Sequence, residues 1–370
     1  MNKTYLYKIL FLVSFWIVAS VFFVLLVWAI ESWNADFYAI NNYQYELGKI
    51  LVMVILVTFI GSSIIASLEV LYFNKLLRKK PLGFTILIKT TFYMVNIFFF
   101  SSLATIISFS FDLNKPILHT DVLNLFMNYL VSSKVWIMMT YWSIAVMLAL
   151  FILHISDKFG KGVLFYFLIG KYHNPREELR IFMFLDLKSS TAYAEKLGHI
   201  KYSQLLQDCF YELTEVVLKC EAQVYQYVGD EVVLTWTKDK GINDNNCIKI
   251  FFDYNQRIRD KGQYYKNKYG IIPEFKAGLN LGYCTVAEVG EIKKELAYHG
   301  DALNTASRIR SACNNFKKRL LISADLISLF SNLDEFFTIE SMGVVNLEGK
   351  KNVVGLFSIE EGLSKNSAPV

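Results

Sequence analysis

The segment RIFMFLDLKSST, residues 180–191, contains the feature around which the second half of the chain is organised. Ile181 to Leu185 is an uninterrupted apolar run, which is typical of a central strand buried on both faces. The run ends at Asp186, and a buried carboxylate is costly unless it is paired or binds a cation. We therefore predict a strand that delivers Asp186 to a metal ion.

A second acidic turn follows in VYQYVGDEVVLTW, residues 224–236. The pattern predicts a hairpin with strands at Val224–Val228 and Val232–Trp236. Gly229 permits the tight turn, and Asp230 stands at its tip. Two carboxylates on adjacent strands are suited to two cations that prefer oxygen ligands. The plainer alternative, an ordinary acidic turn residue, would hold for either motif alone.

Composition separates the two halves of the chain. The 370 residues are 54% hydrophobic and only 19% charged, which is too apolar for an ordinary soluble protein, and the apolar excess lies in the first half. The net charge of +5 is modest and forms no basic stripe, so nucleic acid binding is not indicated. The five cysteines show no CxxC or His/Cys cluster, which favours buried thiols over zinc or disulfides.

The first half predicts a membrane domain over residues 1–156 with four helical spans. Each span is about long enough to cross the hydrocarbon core. A cleaved signal peptide is the alternative for the first span, and a buried helical core is the alternative for all of them. The predicted spans cover about residues 9–30, 50–72, 84–111 and 135–154.

Basic residues cluster before the first span, between the second and third, and after the fourth. By the positive-inside rule, both termini and the second half are predicted to be cytoplasmic, in a multi-pass protein of the cell inner (plasma) membrane. Trp28, Trp33, Trp136 and Trp142 are either interfacial anchors or packing residues. Glu69, Lys89 and Lys134 are predicted to snorkel at span ends, so no ion path and no transporter is indicated.

Residues 157–176 are predicted to be a linker. Its apolar patch, Val163–Gly170, is suited either to the membrane surface or to a partner subunit. Beyond the first strand, helices are predicted at Ser189–Leu197, Tyr202–Lys219 and Asn243–Tyr269, and a strand at Glu274–Tyr283. Ser189, Ser190 and Thr191 are predicted to cap the first of these helices and to offer backbone N–H groups to a polyphosphate.

The third element is ELAYHGDALNTASRIRSAC, residues 295–313. Gly300 and Asp301 predict a turn and cap before a helix that carries Asn304 and Arg308 on one face. An amide beside a guanidinium can hold a sugar and a phosphoryl group, although an ordinary solvated pair is the alternative. Finally, Gly343–Ser358 predicts a strand pair around a basic turn that contains Lys350 and Lys351.

From about Glu177 to Glu360, these motifs resemble, in order, the catalytic domain of class III nucleotidyl cyclases, the adenylate and guanylate cyclases. The resemblance implies an α+β ferredoxin-like, palm-type domain over residues 177–362, with a short tail at 363–370. It also implies a head-to-tail homodimer with active sites shared between the subunits.

The resemblance also assigns roles to individual residues. Asp186 and Asp230 match the metal-binding aspartates, with the Leu187 carbonyl as a further ligand for two Mg²⁺ or Mn²⁺ ions. Asn304 matches the residue that orients the ribose, and Arg308 the one that stabilises the transition state. Lys350 matches the lysine on the terminal phosphates, with Lys351 as its substitute if the register slips by one.

Gln226 and Ala297 stand at the family's usual base-reading positions and depart from its familiar residues. Glutamine can donate and accept hydrogen bonds, whereas an alanine side chain can do neither. ATP is the expected substrate and GTP the second choice. Other hypotheses are a diguanylate cyclase, which the sequence around Gly229 does not favour, and a catalytically silent membrane-bound nucleotide sensor.

Overall fold

The computed structural model describes residues 3–33, 47–73, 76–77, 80–159, 163–348 and 353–362. The chain divides into two compact units, Met1–Lys158 and Phe159–Val370. Each unit has buried apolar clusters of its own.

The first unit is helical. Its apolar helices satisfy their backbone hydrogen bonds internally, as a chain in hydrocarbon must. Four stretches are long and apolar enough to cross a membrane, as predicted: Lys8–Ala29, Ile50–Phe73, Gly83–Leu113 and Val135–Ser156. The helices are α1 (Lys3–Trp33), α2 (Leu47–Leu68, continued by a π-helical turn at Glu69–Phe73), α3 (Leu82–Leu113), α4 (Thr120–Val131) and α5 (Ser133–Phe159).

One feature of this unit differs from the expectation. Glu69 does not snorkel: its side chain is buried, with 2% of the residue exposed, and forms an ion pair with Lys89. The ion pair lowers the free-energy cost of burying both charges, a cost that would be much higher for an unpaired carboxylate. Among the tryptophans, Trp142 packs 6.0 Å from Trp16 between ring centroids, whereas Trp136 is 72% exposed.

The second unit contains a mixed sheet. Its strands are β1 (Arg176–Leu187), β2 (Gln223–Val228), β3 (Glu231–Thr237), β4 (Phe275–Val289), β5 (Glu295–His299), β6 (Leu320–Ser323), β7 (Phe337–Val345) and β8 (Val354–Glu361). Their order in the sheet is β2-β3-β1-β4-β6-β8-β7, and β5 pairs with the C-terminal part of β4. The central strand β1 runs antiparallel to both β3 and β4, while β6 is parallel to β4.

Burial of β1 on both faces is confirmed. Met183 and Leu185 join the core under the long helices, whereas Phe182 and Phe184 join a second cluster on the opposite face. Successive side chains of a strand point to opposite faces of the sheet, and both faces of β1 are buried. The segment therefore has to be apolar at every position.

Helices cover the sheet. Besides the short α6 (Val163–Leu168), they are α7 (Ser190–Lys219), α8 (Lys238–Ile242), α9 (Asn246–Asp260), α10 (Gly262–Tyr269), α11 (Asp301–Phe316) and α12 (Ala324–Ile327). Gly198, at φ 72°, interrupts α7 in the interval between the two predicted helices.

Three local predictions need correction. The helix predicted over Asn243–Tyr269 is divided, because Lys261 leaves helical geometry between α9 and α10. The strand predicted at Glu274–Tyr283 continues to Val289, where β5 supplies a pairing partner. Ser189 precedes α7 in the left-handed region, at φ 59°, and its side chain makes no capping hydrogen bond.

The second half of the predicted linker packs onto the sheet. Tyr172 is buried beside Phe182 and Tyr298, and its carbonyl accepts a hydrogen bond from the Glu288 N–H at 3.0 Å. Of the apolar patch, Tyr166 packs edge-on against Tyr172, whereas Phe165 is 60% exposed. The predicted strand pair near the end of the chain is present as β7 and β8, but residues 349–352 of its turn lie outside the described residues.

Candidate active site

Asp186 lies at the end of β1, between the neighbouring strands β3 and β4. Its register partners are Glu231 on β3 and Lys276 on β4. Only 7% of Asp186 is exposed. The apolar run before it therefore does what the sequence predicted, which is to bring a carboxylate to the rim of a buried sheet.

The hairpin between β2 and β3 brings Asp230 to the same place. Gly229 makes the turn at φ 60°, a conformation that favours glycine. The Leu187 N–H donates a hydrogen bond to the Asp230 carbonyl at 3.3 Å, which ties the tip of the hairpin to the end of β1. The three residues predicted to bind metal, Asp186, Leu187 and Asp230, are thus adjacent.

Two cationic side chains lie beside Asp186, and neither was singled out from the sequence. Lys276 Nζ lies 3.2 Å and Arg310 Nη1 3.3 Å from Asp186 Oδ2. Arg310 Nε also lies 2.8 Å from Glu231 Oε2, although the N–H is not aligned for a hydrogen bond with that oxygen. The sequence placed Lys276 in a predicted strand and Glu231 directly after Asp230. It did not show that both lie beside Asp186, because that depends on the register of the strands.

Burial governs the electrostatics of this cluster. It raises the pKa of Asp186; Arg310 and Lys276 oppose that shift, and the charge of Asp230 adds to it. Burial likewise raises the pKa of Glu231 to about 7, with Arg310 opposing and the two aspartates reinforcing the shift. Burial thus disfavours the charged form of both carboxyl groups despite these cationic neighbours, and a bound cation would favour it.

Helix α11 packs tightly across β4 and orients its side chains in two directions. A Cβ on Gly278 would lie 2.2 Å from the Arg310 backbone nitrogen, so only glycine allows this approach. Ala306 and Ile309 are fully buried. Arg310, on this side, reaches Asp186 of its own chain.

Asn304 is exposed and Arg308 half-buried on another side of α11. Residues two positions apart in a helix lie about 200° apart around its axis. Arg308 therefore projects away from the direction of Arg310. Among the described residues, no hydrogen bond or ion pair joins Asn304 or Arg308 to either aspartate. These two predicted residues therefore lie on the same face of α11, but they do not lie beside the two aspartates of the same chain.

The remaining predicted residues surround this region in different ways. Ser189, Ser190 and Thr191 open α7 directly beyond Asp186, where a helix N-terminus favours anions. Gln226 is exposed on β2 and Ala297 is buried on β5. The neighbouring rings of Tyr225 and Tyr298 are 4.8 Å apart, so the two strands come within side-chain contact. Lys350 and Lys351 lie outside the described residues.

The donor set suits a hard cation that brings some of its own ligands. In the described part of the chain, no group of three or more His, Cys, Asp or Glu side chains is arranged to hold a metal ion. Two carboxylates and a carbonyl provide the oxygen donors that Mg²⁺ prefers, and Mg²⁺ commonly completes its shell with water and substrate phosphates. The residues present therefore fit a metal that binds together with phosphate oxygens of a substrate.

Comparison with known proteins identifies the family of the second unit. Residues 172–360 match the family model described as the adenylate and guanylate cyclase catalytic domain. Adenylate cyclase 2 of Rhizobium meliloti is 31% identical over 213 residues, a match that covers 58% of each protein. The receptor-type guanylate cyclase gcy-13 of Caenorhabditis elegans is 25% identical over 178 residues, which cover 47% of this chain and 17% of that one.

A solved structure shows the fold. The structure of a bacterial light-regulated adenylyl cyclase aligns with a TM-score of 0.52 and 17% identity, covering 63% of this chain and 68% of that one. The chain thus spans little more than half the length of its rhizobial relative and a smaller part of the nematode protein.

Proposed function

The chain belongs to the adenylate and guanylate cyclase family, and from this premise we propose that it is a membrane-bound adenylate cyclase that converts ATP to 3′,5′-cyclic AMP and pyrophosphate. The observation that carries the proposal is the meeting of Asp186 and Asp230, where the end of β1 adjoins the β2–β3 turn. Two adjacent carboxylates at the end of a buried strand are suited to metal-assisted phosphoryl chemistry.

Asp186, Asp230 and the Leu187 carbonyl would hold two divalent cations. When bound, these ions supply charge neutralisation and a lowered pKa for the attacking 3′-hydroxyl. Asn304 orients the ribose, and Arg308 stabilises the charge that develops at the α-phosphate. Lys350 binds the terminal phosphates, and the N-terminus of α7 at Ser189–Thr191 accepts polyphosphate oxygens.

The outward direction of Arg308 supports a homodimer. Because this side chain projects away from Asp186 of its own chain, its guanidinium would complete the site of a second copy. A symmetric pair then contains two equivalent composite sites.

ATP is favoured over GTP because the rhizobial relative with 31% identity is an adenylate cyclase. GTP remains the second candidate, since the nematode relative is a guanylate cyclase at 25% identity. The four apolar helices support anchoring in the inner membrane, with both termini and the catalytic domain in the cytoplasm.

The test is product analysis with the purified full-length chain. Each of the four ribonucleoside triphosphates is supplied separately with Mg²⁺ or Mn²⁺, and the products are identified by mass spectrometry. We expect cyclic AMP and pyrophosphate from ATP, and loss of turnover in both Asp186→Asn and Asp230→Asn, with Asp239→Asn as an exposed control. Retained turnover in both metal-site variants would refute the two-metal assignment.

A further inference from the structure

Arg180 is a buried cation on β1, the strand that ends near Asp186. Only 3% of the residue is exposed, although it carries a charge. Positions 180 and 186 differ by an even number, so both side chains lie on the same face of β1. Glu178 balances the charge, because its Oε2 accepts a hydrogen bond from Arg180 Nη1 at 2.9 Å. The proposed mechanism does not use this arginine, so its burial has to be explained by the contacts it makes.

The contacts of Arg180 reach three other strands. Its Nη2 donates a hydrogen bond to Gln223 Oε1 at 2.6 Å, at the start of β2. Its Nε donates to Thr235 Oγ1 at 3.0 Å, on β3. Its guanidinium carbon lies 5.0 Å from the centroid of the Tyr298 ring on β5, an arrangement in which a cation is attracted to the ring face. One guanidinium therefore holds β2, β3 and β5 at the same time.

The spacing between β2 and β5 depends on side chains. Strand β2 pairs with β3, and β5 pairs with β4, so no backbone ladder of the described strands joins β2 to β5. The pairing of β2 is also irregular, with a shift of register between Val224 and Gln226. What joins the two strands is the contact between the Tyr225 and Tyr298 rings, 4.8 Å apart, together with Arg180.

We propose that Arg180 is a positioning residue for the nucleotide base. By holding Gln223 and Tyr298, it sets the separation between Gln226 on β2 and Ala297 on β5. The inference rests on the proposed function, because it takes those two residues as neighbours of the base. Arginine suits this role, since its planar group offers several donors in a fixed fork and stacks on an aromatic face.

Nucleotide binding tests this role apart from turnover. The full-length chain is titrated in a calorimeter, with Mn²⁺ present, with the α,β-methylene analogues of ATP and GTP, which cannot release pyrophosphate. Inorganic tripolyphosphate, which has neither base nor ribose, is titrated in parallel. Gln223→Met removes the acceptor of Arg180 Nη2 with little change of length. We expect it to weaken binding of the preferred analogue about fivefold and to leave the affinity for tripolyphosphate unchanged, because only the base contact is misplaced.

Three further variants give the comparison. Gln223→Glu keeps an acceptor for Arg180 and is expected to bind like the unmodified chain. Arg180→Lys keeps a charge beside Glu178 but loses the fork, so we expect it to behave like Gln223→Met. A cavity of about 280 Å³ adjoins Arg180 and Gln223, which gives these substitutions space. Arg319→Met is the matched control: its guanidinium carbon lies 5.8 Å from the centroid of the Phe251 ring, and we expect no change in either affinity.

Equal loss of affinity for the nucleotide analogue and for tripolyphosphate in Gln223→Met and Arg180→Lys would reduce Arg180 to a general structural role and overturn the proposal. Unchanged nucleotide affinity in both variants would overturn it as well. Failure of the unmodified chain to bind either analogue would instead contradict the proposed function, and this role with it.

Discussion

Arg310 is a residue whose role becomes visible in the folded chain. It lies two positions beyond Arg308, yet it contacts Asp186 and Glu231 of its own sheet. A guanidinium suits this position because it stays protonated and can face two carboxylates at once. We therefore propose that Arg310 keeps Asp186, the expected metal ligand, ordered when no cation is bound.

Replacing Arg310 tests this role. Without metal, Arg310→Ala should destabilise the ends of β1 and β3 by about 2 kcal/mol, because buried carboxylates lose a partner. The added protection given by Mn²⁺ should then be larger than in the unmodified chain. Hydrogen exchange of peptides covering residues 180–187 and 231–237, with and without Mn²⁺, measures both effects.

Arg259→Ala is the control, because that arginine is 43% exposed at the side chain and lies on α9. If Arg310→Ala exchanges like the control in both conditions, the guanidinium does not support the site.

Gln226 is the second residue with a testable role. Its exposed position on β2, next to a ring that touches β5, supports contact with a nucleotide base. Gln226→Ala should reduce discrimination between ATP and GTP by about tenfold, the effect of about one lost hydrogen bond. Product ratios from an equimolar mixture of the four triphosphates provide the measurement, and unchanged ratios would place base recognition elsewhere.

At the scale of elements, Asp208 on α7 holds α10, the helix that the sequence did not separate from α9. Lys268 Nζ, the Tyr264 hydroxyl and the Tyr269 hydroxyl, all on α10, lie 2.6 to 2.7 Å from Asp208 Oδ2 on α7. Burial raises the pKa of Asp208, but these three donors outweigh it and lower the pKa overall. The carboxylate thus holds α10 against α7.

This lowered pKa sets the sign of a pH effect. The stabilisation is present above the unfolded pKa of about 4 and is lost as pH falls further. Asp208→Asn should destabilise α10 by about 1–2 kcal/mol at pH 7, and the difference from the unmodified chain should shrink as pH falls below about 4. Hydrogen exchange of residues 262–269 measures it.

Asp260→Asn is the comparison, because Asp260 is exposed and accepts a hydrogen bond only from the Gln256 amide among the described residues. A loss of protection in Asp208→Asn that does not depend on pH would contradict the electrostatic explanation.

For the whole molecule, the proposed homodimer makes a quantitative prediction. Asp186→Asn and Arg308→Ala chains should each be inactive alone. In a mixed dimer both lesions lie in one site, and the other site is intact. Because about half of randomly paired dimers are mixed and each has one good site of two, co-expression should restore about a quarter of the unmodified activity.

Co-expression in one membrane is needed for chains with four apolar helices to pair. The comparison is co-expression of Asp186→Asn with Asp230→Asn, which leaves every composite site damaged on the same side. If pull-down shows mixed dimers of Asp186→Asn with Arg308→Ala but no activity returns, the site is not shared between subunits.

The sequence by itself determined the features that depend on local pattern. Continuous apolar runs predicted four long helices and a central strand, because length and hydropathy decide which segments can be buried throughout. Turn chemistry around Gly229 predicted the hairpin, and the ordered motifs from Asp186 to Arg308 were enough to indicate the family.

Only the tertiary structure decided which charges meet. Strand register places Lys276 and Glu231 beside Asp186, and the close approach at Gly278 directs Arg310 toward them while Arg308 faces outward. The pairing of Glu69 with Lys89 likewise depends on how distant helices pack. Such contacts join residues far apart in the chain, and a local pattern carries no information about the partner that a side chain meets in space.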